Sequence, residues 1–193
     1  MFLSEIADVA IIFFIIMDPF SSVLPFLAVT KNAGVKERVR LAGVATITAG
    51  IVLVTFTLIG PEMLRILAVR VESFQIAGGL LLLLIGIVFV FGLHFEDNSR
   101  RKKEITSEVL LIGVPLICGP GTMTTALLFS ASHGVLVTLM GGIAACIVVY
   151  VVLMAANPIA QLVGVRGLEI SSRLIGIIVS AVGVEYIRLG FGF

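Results

Sequence analysis

Two short motifs place proline beside hydroxyl side chains within long apolar stretches. The first runs Asp18-Pro19-Phe20-Ser21-Ser22, and the second runs Gly119-Pro120-Gly121-Thr122 and is followed by Thr124 and Thr125. Because proline has no amide proton and its ring clashes with the carbonyl one turn back, neither stretch can continue as a regular helix. Asp18-Pro19 and Gly119-Pro120 each match an N-cap followed by proline at the first helical position, so we expect each break to start a new half-helix.

The chemistry that these motifs offer is recognition of a small molecule carrying both charges. The N-terminus of a half-helix has free amide protons and about half a positive charge, which suits a carboxylate. Serine and threonine hydroxyls accept from an ammonium group and donate to a carboxylate. The pattern therefore predicts a binding site for a small zwitterion, formed by Asp18, Pro19, Phe20, Ser21, Ser22, Gly119, Pro120, Gly121, Thr122, Thr124 and Thr125.

Asp18 is the one acidic residue expected near the centre of the bilayer. An ionised side chain costs about 2.5 kcal/mol or more at that depth on insertion scales, so Asp18 is a candidate functional residue. Three roles are open to it. It can cap its own half-helix, it can bind a substrate ammonium group, or it can carry the proton that couples transport to a gradient.

Membrane-spanning helices must position these motifs. The 193-residue chain is 59% hydrophobic and 13% charged, whereas an average soluble domain is about 25% charged. Six apolar segments can each reach the roughly 20 residues that cross the hydrocarbon as a helix. They are residues 9–30, 41–61, 74–95, 109–132, 134–165, and 174–184 with its charged flanks. The prediction is an all-α membrane protein with six transmembrane helices, of which the first and fourth are broken near the midplane at equal depth.

The net charge and the cysteine content limit which partners and cofactors the chain is expected to bind. The formal net charge of +1 gives no electrostatic basis for binding nucleic acid. Cys118 and Cys146 lie within apolar runs, and no Cys/His cluster is present, so no metal or cofactor is expected. The N-terminus lacks the basic start and cleavage site of a signal peptide, so the first apolar run is expected to remain as a span. The expected partners are the lipid bilayer, a small zwitterion and a coupling ion, with the proton as candidate.

The distribution of Lys and Arg predicts the orientation. Nine of them fall in the connections after the first, third and fifth helices, which places those connections in the cytoplasm and both termini outside. The longest polar connection is residues 96–108. Glu169 with Arg173, and Glu185 with Arg188, have the spacing of interfacial salt bridges on the sixth helix. His94 and His133 lie at helix ends, so a serine hydrolase with a histidine base at matching depth is not expected.

Internal similarity predicts two copies of a three-helix unit. Offsetting the third helix by 97 residues matches Glu72 with Glu169, Gly79 with Gly176 and Gly86 with Gly183, and an offset of 95 or 96 matches prolines of the first and fourth helices. Because three is odd, the second copy must cross the bilayer upside down. The predicted organisation is a first repeat over residues 1–95, a cytoplasmic connection over 96–108, and a second, inverted repeat over 109–193.

Three motifs together resemble those of a known family. They are Asp18-Pro19-Phe20-Ser21-Ser22 with Pro25-Phe26, Ile76-Ala77-Gly78-Gly79, and Pro115-Leu116-Ile117-Cys118-Gly119-Pro120-Gly121, and the chain resembles the MarC family of six-helix prokaryotic inner-membrane proteins over nearly its whole length. The first motif has Ser21-Ser22 where a common form of the family has Gly-Asn. The resemblance implies transport of small neutral amino acids such as glycine and alanine, driven by an ion gradient.

The sequence therefore predicts a secondary transporter rather than an enzyme. A P-loop is missing, so the energy is expected to come from a gradient, and Asp18 is the candidate coupling residue. The alternatives are an exporter of amino acids or drugs with the same architecture, and a passive channel or scaffold subunit. Substrate identity, direction and oligomeric state are left open by the residues.

Overall fold

The computed structural model describes residues 2–92 and 117–192, and this part of the chain is helical, without strands. It contains seven helices, which we number in chain order: α1 Phe2–Met17, α2 Pro19–Val29, α3 Val35–Ile66, α4 Val71–Phe91, α5 Pro120–Ser132, α6 Val135–Met154 and α7 Ala156–Gly190. The predicted all-α class is confirmed. His94, Pro115 and the connection over 96–108 lie outside the described residues.

The described helices account for up to five membrane spans. Four of them, α3, α4, α6 and α7, are each long and apolar enough to cross a bilayer. A fifth candidate is the pair α1 and α2, which is bent by 46° at its break and forms either one broken span or a re-entrant loop. Of the expected segment 109–132, residues 117–132 are described, and the 13 residues of α5 are too few to cross about 30 Å of hydrocarbon.

Helices α4 and α7 pack with their backbones in direct contact. A Cβ atom added to Gly79 would lie 2.5 Å from the carbonyl oxygen of Gly183, and one added to Gly86 would lie 2.5 Å from that of Gly176. The pairing runs in opposite directions along the two helices, so α4 and α7 are antiparallel. Since lipid tails are as apolar as leucine side chains, close packing of small residues is what holds such helices together in a membrane.

Glycines also set the contacts around α6. Val9 of α1 packs onto Gly141, and Leu53 of α3 packs onto Gly142, with side-chain atoms 2.5 and 2.7 Å from where a Cβ would be. Helix α5 joins α3 through the Ser130 hydroxyl, which donates to the carbonyl of Thr57 at 2.7 Å. The two half-helices α2 and α5 are thereby held against different neighbours, α2 mainly on α7 and α5 mainly on α3 and α4.

The apolar run over residues 134–165 is divided between two helices. Helix α6 ends at Met154, and Asn157-Pro158 lies in the first turn of α7, which begins at Ala156. Helix α7 then runs through Gly164, whose backbone has φ 73° and ψ 166°, to Gly190. Proline is tolerated in a first helical turn because those amides have no helical partner. Glycine at 164 permits the positive φ at which the helix direction changes.

Candidate functional site

The first helix break is centred on Asp18, which is buried with 1% of its surface exposed. Its backbone is left-handed, with φ 35° and ψ 71°, a conformation uncommon for residues other than glycine. The Asp18 carboxylate accepts from the backbone amide of Ser21 at 3.3 Å, so it caps α2, and Pro19 occupies the first helical position. The expected half-helix start is therefore present, and Asp18 acts as its N-cap.

A chain of hydroxyls links this cap to a distant helix. The Ser21 hydroxyl donates to the Asp18 carboxylate and lies in hydrogen-bond contact with the Ser172 hydroxyl of α7. The Ser172 hydroxyl also lies 3.3 Å from the same carboxylate oxygen. Ser22 is buried and has only a long contact of 3.5 Å to the Asp18 carbonyl. Asp18, Ser21 and Ser172 thus form one polar cluster, which we call the Asp18 cluster.

Proline makes α2 unusual one turn beyond the break. Pro25 lies inside the helix and has no amide proton for the carbonyl of Ser21, four residues earlier. That carbonyl therefore lacks its helical donor and can accept from a ligand. The other end of α2 is closed by Arg38, whose guanidinium donates to the Thr30 carbonyl at 3.0 Å and to the Thr30 hydroxyl at 3.3 Å.

A cavity of about 310 Å³ opens beside the Asp18 cluster. Its polar lining comes from Ser21, Ser172, Glu169 and Arg173, and Phe20 and Phe89 are among the apolar residues on its wall. At roughly 30 Å³ of liquid volume per water molecule, this space holds about ten waters or one small organic molecule. The cavity lies at the end of α4, near Gly92, and beside the part of α7 that follows the change of direction at Gly164.

The second break is built differently. Gly119 precedes α5 in an extended conformation, with φ −74° and ψ −177°, Pro120 takes a first-turn position, and no side chain caps the helix. The Thr122 hydroxyl donates to the carbonyl of Ile117 at 3.2 Å, across the break. Both Gly121 and Thr122 are buried. The N-terminal amides of α5 therefore have no side-chain acceptor within the described part of the chain, whereas those of α2 have Asp18.

The two breaks are neighbours. A Cβ on Gly121 would lie 3.3 Å from Ile16 of α1, two residues before Asp18, and 2.7 Å from Leu82 of α4. The start of α5 therefore packs beside the end of α1, where the first break begins. The equal depth expected for the two breaks stays a prediction.

The remaining predicted threonines lie away from the Asp18 cluster. Thr124 packs its methyl group onto Gly78. Thr125 is fully buried and faces the hydroxyl of Tyr186, although neither hydroxyl has a hydrogen-bond partner with good geometry. The ring of Phe129 lies edge-on to that of Tyr186 at 6.4 Å. No hydrogen bond in the described ranges joins the serines of the first motif to the threonines of the second, so the predicted residues form two sets.

Sequence reasoning missed Ser172 and Tyr186, and it interpreted Glu169 and Arg173 differently. The predicted salt bridge between Glu185 and Arg188 is confirmed at 2.6 Å. The one between Glu169 and Arg173 is wrong, because no ion pair joins these two described residues, and both line the cavity instead. The signal that could have found them is the pattern Glu169, Ser172 and Arg173, which places three polar groups on one face of α7.

Within residues 2–92 and 117–192, no three His, Cys, Asp or Glu side chains are grouped so as to hold a metal ion. His133 is exposed at the end of α5, where its ring lies 2.8 Å from the Ser132 hydroxyl, remote in the chain from either proline.

Buried helix breaks, long apolar helices and a polar cavity together define a multi-pass helical membrane protein. The chain belongs to the MarC family, because the model of MarC family integral membrane proteins matches residues 3–191. Similar proteins occur in archaea and in bacteria, the latter represented by Buchnera aphidicola. Their printed names describe membrane proteins and name no enzyme.

Three relatives show how far the similarity extends, and each is described as a UPF0056 membrane protein. The one from Pyrococcus abyssi is 29% identical over 180 residues, which cover 92% of this chain and 89% of the relative. The one from Methanocaldococcus jannaschii is 28% identical, covering 92% and 91%. The one from Archaeoglobus fulgidus is 30% identical, covering 90% and 86%. No solved structure matches the chain.

Proposed function

We propose that this protein is a secondary transporter that binds a small neutral amino acid, such as glycine or alanine, near its two helix breaks and exposes it alternately to each side of the membrane. The observation that carries the proposal is the Asp18 cluster: a buried, hydrogen-bonded break that opens onto a polar cavity of about 310 Å³. Irregular backbone at membrane depth is tolerated only where protein or a polar cavity covers it.

Alternating access in the proposed mechanism rests on two inverted repeats, over residues 1–95 and 109–193. The contacts between Gly79 and Gly183 and between Gly86 and Gly176 support this organisation. Shifting each residue by 97 positions converts the first pair into the second, which is the relation expected of a two-fold axis between antiparallel helices.

The turn that precedes α4 and the change of direction within α7 at Gly164 support the same organisation. Ala68 has φ 52° and Gly164 has φ 73°, and these positive angles fall 96 residues apart. Each follows a proline by six or seven residues, and Pro61 and Pro158 are themselves 97 residues apart. The proline offset at the breaks is different, because the half-helices begin at Pro19 and Pro120, which are 101 residues apart.

The chemistry at the two breaks supports a zwitterionic substrate. The uncapped N-terminus of α5 offers amides and a positive dipole end to a carboxylate, with Thr122 beside it. The carbonyl of Ser21, freed by Pro25, and the Asp18 carboxylate offer acceptors to an ammonium group.

Orientation and energy source complete the proposal. We place the protein in a prokaryotic plasma membrane with both termini outside, because Lys and Arg concentrate in the connections of the opposite side. The cavity then opens toward the cytoplasm, at the end of α4. An ion gradient supplies the energy, and the proton is the candidate ion.

Counterflow in proteoliposomes tests the proposal. Vesicles loaded with unlabelled alanine are expected to take up labelled alanine faster than empty vesicles, and a proton gradient of the right sign is expected to drive net accumulation. Equal rates in loaded and empty vesicles, with flux that follows the concentration gradient alone, would identify a channel. No flux above that of protein-free vesicles would overturn the transport function.

Asp18→Asn separates capping from coupling. The amide oxygen of asparagine can still accept from the Ser21 amide, so folding is expected to be kept, while the ionisable group is lost. We expect alanine counterflow to persist and proton-driven accumulation to disappear. An Asp18→Asn protein whose transport keeps the pH dependence of the wild type would remove the coupling role and leave Asp18 as a cap.

A further inference from the structure

The cavity beside the Asp18 cluster contains two opposite charges that do not neutralise each other. Glu169 and Arg173 both line it, together with Ser21 and Ser172. Their spacing of four residues, with glutamate first, is the favourable arrangement for an ion pair on a helix. The structure nevertheless has no salt bridge between these two described residues, and each charge remains available to a ligand.

Two other Glu/Arg pairs in the described part of the chain do form ion pairs. Glu62 with Arg65, and Glu185 with Arg188, close ion pairs at 2.6 Å at helix positions three apart. Glu169 and Arg173 are exposed as well, but they differ from these two pairs because they line the cavity and form no ion pair with each other.

We propose that Glu169 and Arg173 form a capture subsite for a zwitterion at the mouth of the cavity, a step that rests on the transport function proposed above. Arg173 binds the substrate carboxylate through its planar guanidinium, which matches carboxylate geometry. Glu169 accepts from the ammonium group, and the Ser21 carbonyl and Ser172 hydroxyl offer further acceptors toward the break. A molecule with both charges engages both residues, whereas an amine or an acid alone leaves one of them unmatched.

This subsite accounts for a substrate preference that the two helix breaks alone do not provide. The cavity of about 310 Å³ admits small molecules of many kinds. Glu169 and Arg173 lie four positions apart on α7, about 6 Å along the axis at 1.5 Å per residue, so a substrate whose carboxylate and ammonium are close together, as in an α-amino acid, can reach both charges. We therefore expect a preference for α-amino acids with small side chains, because Phe20 and Phe89 line the cavity and narrow it.

The test compares Arg173→Gln and Glu169→Gln with the matched controls Arg188→Gln and Glu185→Gln in alanine counterflow. We expect Arg173→Gln and Glu169→Gln each to raise the KM about tenfold, as loss of one charge-assisted hydrogen bond predicts. The controls break a surface ion pair and are expected to stay within about twofold of the wild type. Each protein is first checked for a wild-type Tm in detergent, and if one glutamine variant fails to fold, the other carries the test.

Two competing ligands distinguish capture from a structural role. Propionate lacks the ammonium group and ethylamine lacks the carboxylate, so Arg173→Gln is expected to lose inhibition by propionate and keep inhibition by ethylamine, and Glu169→Gln the reverse. The exchanged double variant Glu169→Arg with Arg173→Glu is expected to recover part of the lost affinity. Wild-type exchange together with an unchanged KM in both glutamine variants would overturn the subsite and leave transport standing. Absence of exchange by the wild type would overturn the proposed function itself.

Discussion

At the first break Asp18 caps the helix that follows, and at the second break Gly119 leaves it uncapped. Both half-helices begin with proline in the first turn, yet their surroundings differ. The first break opens onto a polar cavity and is bonded to Ser172 of α7, while the second is packed against Leu82 and Ile16. The same local feature, a half-helix that begins with proline, therefore lies beside a polar cavity in one case and against apolar side chains in the other.

The comparison teaches that the cap decides what an N-terminus can bind. A carboxylate supplied by the chain occupies the amides of α2, so α2 offers its hydroxyls and carbonyls to a ligand and suits an ammonium group. The amides of α5 meet no side-chain oxygen, so α5 suits a carboxylate. The two breaks are complementary in charge, although their prolines look alike.

The largest expected effect comes from separating the helices on which both breaks rest. In Gly79→Ala the new methyl group would lie 2.5 Å from the Gly183 carbonyl and 2.8 Å from the Ile187 amide, so α4 and α7 must move apart. We expect a loss of about 1 to 3 kcal/mol in the free energy of unfolding, typical of overpacking, and loss of alanine counterflow.

Gly34→Ala is the control for that variant. Nothing lies within 4 Å of a Cβ at Gly34, and the backbone there has φ −68°, which alanine adopts readily. Thermal unfolding in detergent micelles measures both proteins. Equal Tm values for Gly79→Ala and Gly34→Ala would mean that the glycine contacts between α4 and α7 do not hold the two breaks in place.

A smaller effect is expected from giving the second break a cap like that of the first. Gly119→Ser fits the extended backbone, and its hydroxyl can accept from an N-terminal amide of α5. We expect stability to rise by a few tenths of a kcal/mol, and alanine affinity to fall about fivefold, because the serine oxygen occupies an amide needed by the carboxylate.

The matched control for Gly119→Ser is Gly34→Ser. Gly34 is also an extended, uncapped N-cap, but it precedes α3 at an exposed position. The same gain in stability is expected there without a change in KM, measured by counterflow. A KM for Gly119→Ser equal to that of Gly34→Ser would show that the α5 amides do not contact substrate, and the difference between the breaks would then be structural only.

The sequence predicts the breaks well because their causes are local. Proline removes an amide proton wherever it stands, and Asp18 caps the residues directly after it, so these features follow from neighbours in the chain. The same holds for Gly79 and Gly86, whose seven-residue spacing places them on one helix face. The positions of Pro19 and Pro120 at helix starts therefore agree with expectation.

The partners of the breaks could not be predicted in this way. Ser172 meets Ser21 across 151 positions of sequence, a contact that depends on how α2 packs on α7. The sixth segment was expected over 174–184 with charged flanks, whereas α7 begins at Ala156, and two charged residues before that range, Glu169 and Arg173, line the cavity. Residue types identified each break, but tertiary contacts decide what each break faces.

The smallest expected effect concerns the buried hydroxyls of Thr125 and Tyr186, near the second break. The buried hydroxyls of Thr125 and Tyr186 make no well-formed hydrogen bond, so Tyr186→Phe and Thr125→Val remove little, and we expect changes below about 0.5 kcal/mol in the free energy of unfolding. Ser172→Ala removes bonds to the Asp18 cluster and is expected to cost about 1 to 2 kcal/mol, while Ser171→Ala, whose hydroxyl bonds only its own helix at Gly167, serves as control. Chemical unfolding of the four variants measures these differences. A loss of unfolding free energy in Tyr186→Phe as large as that in Ser172→Ala would mean that the Thr125 and Tyr186 hydroxyls are hydrogen-bonded to a bound molecule in the membrane. The surroundings of the second break would then be as polar as those of the first.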